Sequence, residues 1–440
     1  MLYSLRKIGI IYWLALLTNC LTFAQTNDSI DYYNPMRLQY DNAVYQSNIK
    51  TISLHRHNEA LSIPIIPLNG GIQLALSFDE LGDENDNYSY TLIHCTANWE
   101  ASDIDPFDYI DGFTRYDISD YEYSVNTTQT YTHYRLLFPN NEMRLTKSGN
   151  YLLKVYRNDD EEALVLTRRF MVYENKLLIE SRLMSANAHN FTRTHHRIDF
   201  SIGYNGMPIV NPLAELQVII LQNGRWDNAL RDIEPTFLKN KVAIYSSNTI
   251  AFEAGNEFRF FDCRSFQQRS ERVRKIIESD SNHVYLAPDI SRKKTANNHM
   301  MRVNFIDKNG QFFIGNADAS LFKVIDSDYA LVHFSLNRQS PIKNGNIYVF
   351  GALSNWQLQD DFQMKYVPQN QAYEAQIYLK QGHYDYLYAA TLDGTTNIDT
   401  ERFEGNYLHT ENDYYILVYH KVFSDRYDRL IGVQHINSDR

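Results

Sequence analysis

The stretch around Tyr90 to Tyr156 constrains the fold more than any other part of this 440-residue chain. Apolar side chains recur there at every second residue: Tyr88, Tyr90 and Leu92, then Tyr134, Leu136 and Phe138, then Tyr151, Leu153 and Val155 after a turn at Gly149. Successive residues of a strand point to opposite faces, so each burst presents one apolar face that must be covered by a second layer. The alternation therefore predicts strands of a two-sheet sandwich. Earlier, Ile72, Leu74, Leu76 and Phe78 alternate in the same way, and the polar run from Asp83 to Asn87 turns the chain into the Tyr88 strand. Pro64 and Pro67 cannot donate to a ladder, which makes Leu61 to Ile66 an edge strand or a lead-in.

Similar bursts continue to the C-terminal end. FSIGYNG, LQVIILQNGRW, FEAGNEFRFFDC and MMRVNFIDKNGQFF carry turn signals at Asn205-Gly206, Asn223-Gly224 and Asn309-Gly310. YALVHFSL opens a last series that includes IYVFGALSNW, AYEAQIYL, HYDYLYAAT and YYILVYHKV. Only Ser270 to Ser279 has helix-like spacing, and a twisted strand satisfies it equally. With 33 tyrosines and 23 phenylalanines against 18 glycines, the chain can fill several cores. Its length at about 150 residues per domain suggests three. The expected architecture is all-β: three tandem immunoglobulin-like sandwiches over 25–175, 176–326 and 327–440, after a signal peptide at 1–24.

The signal peptide is read from Arg6 and Lys7 ahead of an apolar run from Ile8 to Leu17, with the small residues Thr22 and Ala24 before Gln25 as first mature residue. That run is too short to span a bilayer, and no later segment reaches the ~18 consecutive apolar residues a membrane helix needs. Leu17-Thr18-Asn19-Cys20 is an alternative lipoprotein signal, though Asn19 stands where a small residue belongs. Export to the periplasm is the expectation. Charge is uneven: −12 over 25–174, +4 over 175–326 and −5 over 327–440. So acidic a first domain repels nucleic acid and anionic membranes. The middle domain instead holds basic clusters, Arg193/Arg197, Arg269/Arg272/Arg274/Lys275 and Arg292/Lys293/Lys294, which suit either an acidic partner surface or solvated turns.

No residue pattern assigns a catalytic, cofactor-binding or metal site. Asp103, Asp105, Asp108 and Asp111 invite a calcium reading, but the spacing lacks the glycine and the bidentate glutamate of an EF-hand. A glycosidase pair needs carboxyl groups facing each other across a cleft, which one loop does not establish. Turn-capping aspartates on a tyrosine-rich contact surface are the simpler account. His94 and His133 fall in strands and are expected to neighbour each other across a sheet, while His195-His196 reads as a turn. Cys95 follows His94 and should point the other way; Cys95 and Cys263 are expected to be free buried thiols, with a bridge as the alternative. The chain has no GxSxG, CxxC, HExxH or phosphate-binding glycine loop.

Two segments carry resemblances. TLIHCTANWEASDIDPFDYIDGF followed by TQTYTHYRLLFPNNEMRLTKSGNYLLKVY is similar to the first domain of the plug protein of the Bacteroidota type IX secretion system, over about residues 35 to 175. That likeness implies a periplasmic subunit that binds and occludes the outer-membrane β-barrel translocon, with no enzyme activity. GALSNWQ followed by YEAQIYLKQGHYDYLY resembles the early-set immunoglobulin-like modules of the glycogen-binding kind, over about residues 330 to 395. It implies a second reading, a carbohydrate-binding accessory protein of the envelope. Trp356 matches one sugar-contacting aromatic of those modules, but Leu387 stands near the expected lysine and Thr395-Thr396 at the second tryptophan.

Overall fold

The computed structural model describes residues 37–83, 86–185, 192–293, 307–319, 323–392, 395, 397–422 and 424–439. The expected signal peptide, Cys20, Lys294 and Thr396 lie outside the described residues. Within them the chain is all-β, and α-helix is confined to three four-residue turns, α1 (Pro106–Tyr109), α2 (Pro212–Glu215) and α3 (Glu401–Glu404).

The first twelve strands are β1 (Ala43–Val44), β2 (Ile49–Arg56), β3 (Ile65–Pro67), β4 (Leu74–Leu81), β5 (Tyr88–Cys95), β6 (Ile110–Gly112), β7 (Arg115–Ile118), β8 (Asp120–Tyr123), β9 (Tyr131–Phe138), β10 (Met143–Leu145), β11 (Gly149–Arg157) and β12 (Leu164–Tyr173). They form a sheet in the order β1-β12-β11-β5-β7, with β3 parallel to the end of β12, and a second sheet β2-β4-β9-β8. The ribbon β6-β10 lies beside them. The three alternating sets read from the sequence all enter one core, where Phe78 stacks on Tyr134 at 5.0 Å and Tyr88 meets Tyr134 edge-on at 4.8 Å from the other sheet. Such aromatic pairs add to the burial of their large surfaces.

The chain continues through β13 (Leu178–Ser185), β14 (His195–Gly203), β15 (Leu216–Gln222), β16 (Phe237–Lys239), β17 (Val242–Tyr245) and β18 (Ala251–Glu253). Next come β19 (Arg259–Asp262), β20 (Val273–Ile277), β21 (Asn282–Leu286), β22 (Phe312–Ile314), β23 (Tyr329–Asn337), β24 (Gly345–Phe350), β25 (Gln363–Val367), β26 (Ala372–Lys380) and β27 (Gly382–Leu392). β28 (Asp413–His420) and β29 (Arg429–Asn437) follow last. The helix-or-strand ambiguity at Ser270 to Ser279 is resolved as a strand, β20. Asn223-Gly224 and Asn309-Gly310 form turns with both residues at positive φ, as their sequence signal requires.

The expected cut between residues 326 and 327 is not where the strands divide. β28 lies antiparallel along the whole of β15, from Leu216 opposite His420 to Gln222 opposite Tyr414, and β29 extends that sheet. This three-stranded layer faces β13-β14-β17-β16 over a core that combines Ile198, Ile202 and Val218 with Tyr414, Ile416 and Ile431. The middle sandwich is therefore discontinuous. The FRFFDC and QFFI strands, expected in it, instead pair with β27 and belong to a third sandwich inserted between β18 and β28. One sheet, β19-β27-β24-β25-β26-β23-β21-β20, wraps that third core around Phe261, Phe334 and Tyr386. The reason for the difference is physical: alternation marks which face of a strand is apolar, but it does not say which distant strand covers it.

A buried charge cluster joins the first sandwich to the third. Lys380 Nζ lies 2.7 Å from Asp79 Oδ2, and both side chains have no exposed surface. His133 Nδ1 approaches the other carboxylate oxygen at 2.6 Å, and the Tyr329 hydroxyl donates to Oδ2 at 2.6 Å. Burial by itself would raise the Asp79 carboxyl, but Lys380 and His133 override it and hold the group below its ordinary value. A carboxyl lowered in the folded state contributes stability that is present above its unfolded pKa and disappears as pH falls through the folded one. Asp79→Asn should cost about 3–5 kcal/mol at neutral pH, because Lys380 is left buried without its counter-charge. Urea unfolding from pH 7 down through the carboxylate range should show the variant losing less stability with acid than the parent; parallel losses would exclude Asp79 as an acid-sensitive joint.

Candidate partner-binding surface

The segment from Asp103 to Val125 forms one side of the first sandwich and presents most of its exposed aromatic surface. Asp105 caps α1, accepting from the Phe107 amide at 3.0 Å, while Asp108 accepts from the Asp105 amide at 3.2 Å. This exposes Phe107 at 77%. β6 then pairs with β10, and the chain turns at Gly112, where φ is +116° and a Cβ would lie 2.2 Å from the Glu142 carbonyl oxygen. Only glycine fits there. Beyond it, β7 is the edge of one sheet against β5, and after Ser119 β8 is the edge of the other against β9. Ile118 points into the core, whereas Phe113, Tyr116, Tyr121 and Tyr123 are exposed.

Acidic groups accompany these rings. Asp111 pairs with Arg144 at 2.6 Å, Arg135 bridges Asp120 and Glu122 at 3.0 Å each, and Arg426 stands 3.8 Å from both Asp103 and Asp108. The four aspartates weighed for calcium are thus turn caps and ion-pair partners. The far end of the segment is clasped by the third sandwich. Asp328 accepts from the amides of Thr128 and Gln129 at 2.7 and 3.1 Å, the Tyr131 hydroxyl donates to Ser327 O at 2.8 Å, and the Val125 amide donates to Ile325 O at 3.1 Å. The aromatic edge is therefore held on a fixed support.

Other residues singled out in the sequence have structural employment. His94 and His133 lie in different sheets, so the expected cross-sheet neighbourship is corrected; alternation gives a face but not the layer. His94 sits between Ser102 Oγ at 2.8 Å and Ser148 O at 3.1 Å, and burial lowers it to about 4. His195 and His196 belong to β14 and not to a turn, with His196 Nδ1 2.8 Å from the buried Tyr414 hydroxyl. Among the basic clusters, Arg197 pairs with Asp199 at 3.0 Å and Arg292 with Glu404 at 2.7 Å. Arg272 reaches Asp289, which also takes Arg259 at 2.7 Å and the hydroxyls of Tyr386 and Tyr388. These cations neutralise internal carboxylates, which removes them from a partner surface.

Cys95 and Cys263 are free and buried, and burial pushes each thiol up to about 12. A thiol reagent at pH 8 should leave both intact in the native protein and modify both after unfolding; fast native labelling of either would contradict this. Trp356 has its ring engaged from several sides. Arg225 lies 4.7 Å over it, and Phe350 and Phe258 meet it edge-on at 5.5 and 5.9 Å. It thereby joins the middle sandwich to the third. Trp356→Ala should cost about 2–4 kcal/mol of stability and leave retention on immobilised glucans unchanged, which affinity electrophoresis measures.

Sequence reasoning missed the residues that join the bodies. Trp99 of the first sandwich and Trp226 of the second meet edge-on at 5.0 Å, with the Arg169 guanidinium 4.5 Å over Trp99. Tyr419 donates to Asn150 at 2.7 Å, and Arg429 pairs with Glu174 at 3.0 Å. Asp79 and Lys380 fall on the faces of β4 and β26 that the alternation reads as polar, in line with Ser77 and Gln376, so nothing in the sequence marked them as buried.

The architecture and surface define a class: a multi-sandwich β-protein whose first sandwich carries an exposed aromatic edge. Residues 49–174 match the family described as type 9 secretion system plug protein 1st domain. The first sandwich is a plug-protein first domain of that family, which supports an involvement of the chain in type IX secretion. A crystal structure of a hypothetical protein from Parabacteroides merdae is similar over 91% of this chain and 100% of its own, at 32% identity and a TM-score of 0.85. No curated protein matches the chain. No helix among the described residues is long and apolar enough to cross a membrane.

Proposed function

We propose that this chain is the periplasmic plug subunit of type IX secretion, binding the outer-membrane β-barrel translocon and occluding its channel without catalysis. The observation that carries the reading is the coincidence of the family match with the sandwich that bears the clasped aromatic edge. A stopper must resist deformation when it seats, and here polar and aromatic contacts fix the edge to the third sandwich. Exposed tyrosines and phenylalanines provide large contact area at low conformational cost, which suits them to anchor a reversible interface. The surrounding carboxylates favour a barrel mouth with basic residues and speed the encounter. Leakage of small solutes through the pore is what the subunit prevents. The carbohydrate-binding alternative is not favoured, because Trp356 is spent on Arg225, Phe258 and Phe350.

The test uses the whole protein. Tyr121→Asp combined with Tyr123→Asp should leave the protein folded, with a modest fall in melting temperature because Tyr121 also touches the core Tyr134 ring, and reduce recovery of the barrel from envelope extracts by about tenfold or more. Deleting the protein should make the translocon permeable to small solutes. If deletion leaves permeability unaltered while the translocon is intact, the occluding role is wrong; if only the tyrosine variant is silent, the contact lies on another face.

A further inference from the structure

A cleft of about 1500 Å³ lies between the β1–β2 segment of the first sandwich and the β25-β26-β23-β21-β20 part of the third. It exceeds the ~300–1,000 Å³ of a small-molecule pocket and has room for a length of extended chain. Arg168 lines it from a position where alternation calls for an apolar side chain, between Leu166 and Phe170 on the core face of β12 and opposite Leu153. The residue is buried at 4% exposure. Its Nη1 donates to the Thr167 and Ala43 carbonyl oxygens at 2.8 and 3.2 Å, and among the described residues Nε and Nη2 have no acceptor. Burial lowers the guanidinium to about 10, and the carboxylate whose field reaches it, Asp41, is bound to Arg169 at 3.1 Å. A charge withdrawn from water in this way is costly unless a counter-charge meets it.

Two further observations bear on the same cleft. Its third-sandwich side adds exposed Arg274, Lys275 and Lys365, which have no ion pair among the described residues, against Asp360 and Glu374, while Lys50 and Asp361 offset each other at 3.7 Å. The cleft is thus locally basic in a chain of net charge −11. Its first-sandwich wall is strained: Thr51, a β-branched residue, takes φ +51° in a bulge of β2, with its hydroxyl 2.5 Å from that of Tyr329. Strain of this kind is kept at ligand clamps. We propose that the cleft receives an extended acidic segment of a partner protein, one carboxylate of which accepts from Nε and Nη2 of Arg168 together. Such a two-point contact supplies the missing counter-charge. An extended chain turns alternate side chains to one side, so acidic residues at every second position keep their carboxylates on a single face. The cleft shares no residue with the aromatic edge of β7 and β8.

The test is fluorescence anisotropy of the whole protein with a dye-labelled peptide alternating Glu and Val, about ten residues and ~33 Å long when extended. A Lys–Val peptide, acetate and phosphate serve as comparisons. The expected result is saturable one-to-one binding of the acidic peptide, weakened by salt, and none of the basic one. Arg168→Met keeps the bulk and removes the charge. It should weaken the peptide by about tenfold or more without lowering the melting temperature, whereas a purely structural arginine would lose stability on this change. Lys275→Glu combined with Lys365→Glu, both exposed, should weaken it comparably in a protein certain to fold. Binding that survives either change in a folded protein, no binding of the acidic peptide, binding of acetate or phosphate alone, or self-association that the same variants abolish would overturn the proposal. None of these readouts involves the barrel, so their failure leaves the plug reading untouched.

Discussion

Seven residues of β15 lie against seven of β28, although almost two hundred positions separate them in the chain. The rest of the architecture follows from that pairing. It completes the middle sandwich with strands from the end of the sequence, and it turns everything from β19 to β27 into an insertion anchored at two points. It also brings β29 to the first sandwich, where the Glu174 and Lys176 amides donate to Leu430 and Ile431 carbonyls at 2.8 and 2.9 Å. A body attached by two strands has far less rotational freedom than one attached by a single linker.

The junctions between sandwiches differ in chemistry but share one principle, that each buries a cation with a matched partner. Lys380 has Asp79, Arg169 has the face of Trp99, and Arg225 has Asp227 at 2.6 Å together with the Trp356 ring. Charges removed from water are tolerable only when so compensated, and removing one partner is costly. Geometry is thereby fixed more narrowly than apolar packing alone would fix it. The aromatic edge of the first sandwich profits most, since Asp328 of the inserted body holds the loop that follows it.

Much of this was legible in the residues. Tyr88, Tyr134 and Tyr151 face the core as their spacing required, and the Asn-Gly turns fall where expected. The chain also told which domain carries the secretion signature. What it withheld was long-range pairing: YYILVYHKV reads as a strand of any sandwich, and only its contacts assign it to the middle one. For the same reason His94 and His133 looked like neighbours. Arg272 and Arg292 looked like free surface charge because their acceptors, Asp289 and Glu404, are 17 and 112 residues away.

The insertion also orders events in time. A polypeptide emerging from its N-terminal end presents β13 to β18 long before β28 and β29 exist, so the middle core stands half-covered while the inserted body, whose strands are all at hand, closes first. The apolar face of β15 must wait for the last strands, and until they arrive it is the surface most open to mispairing and to holdase chaperones.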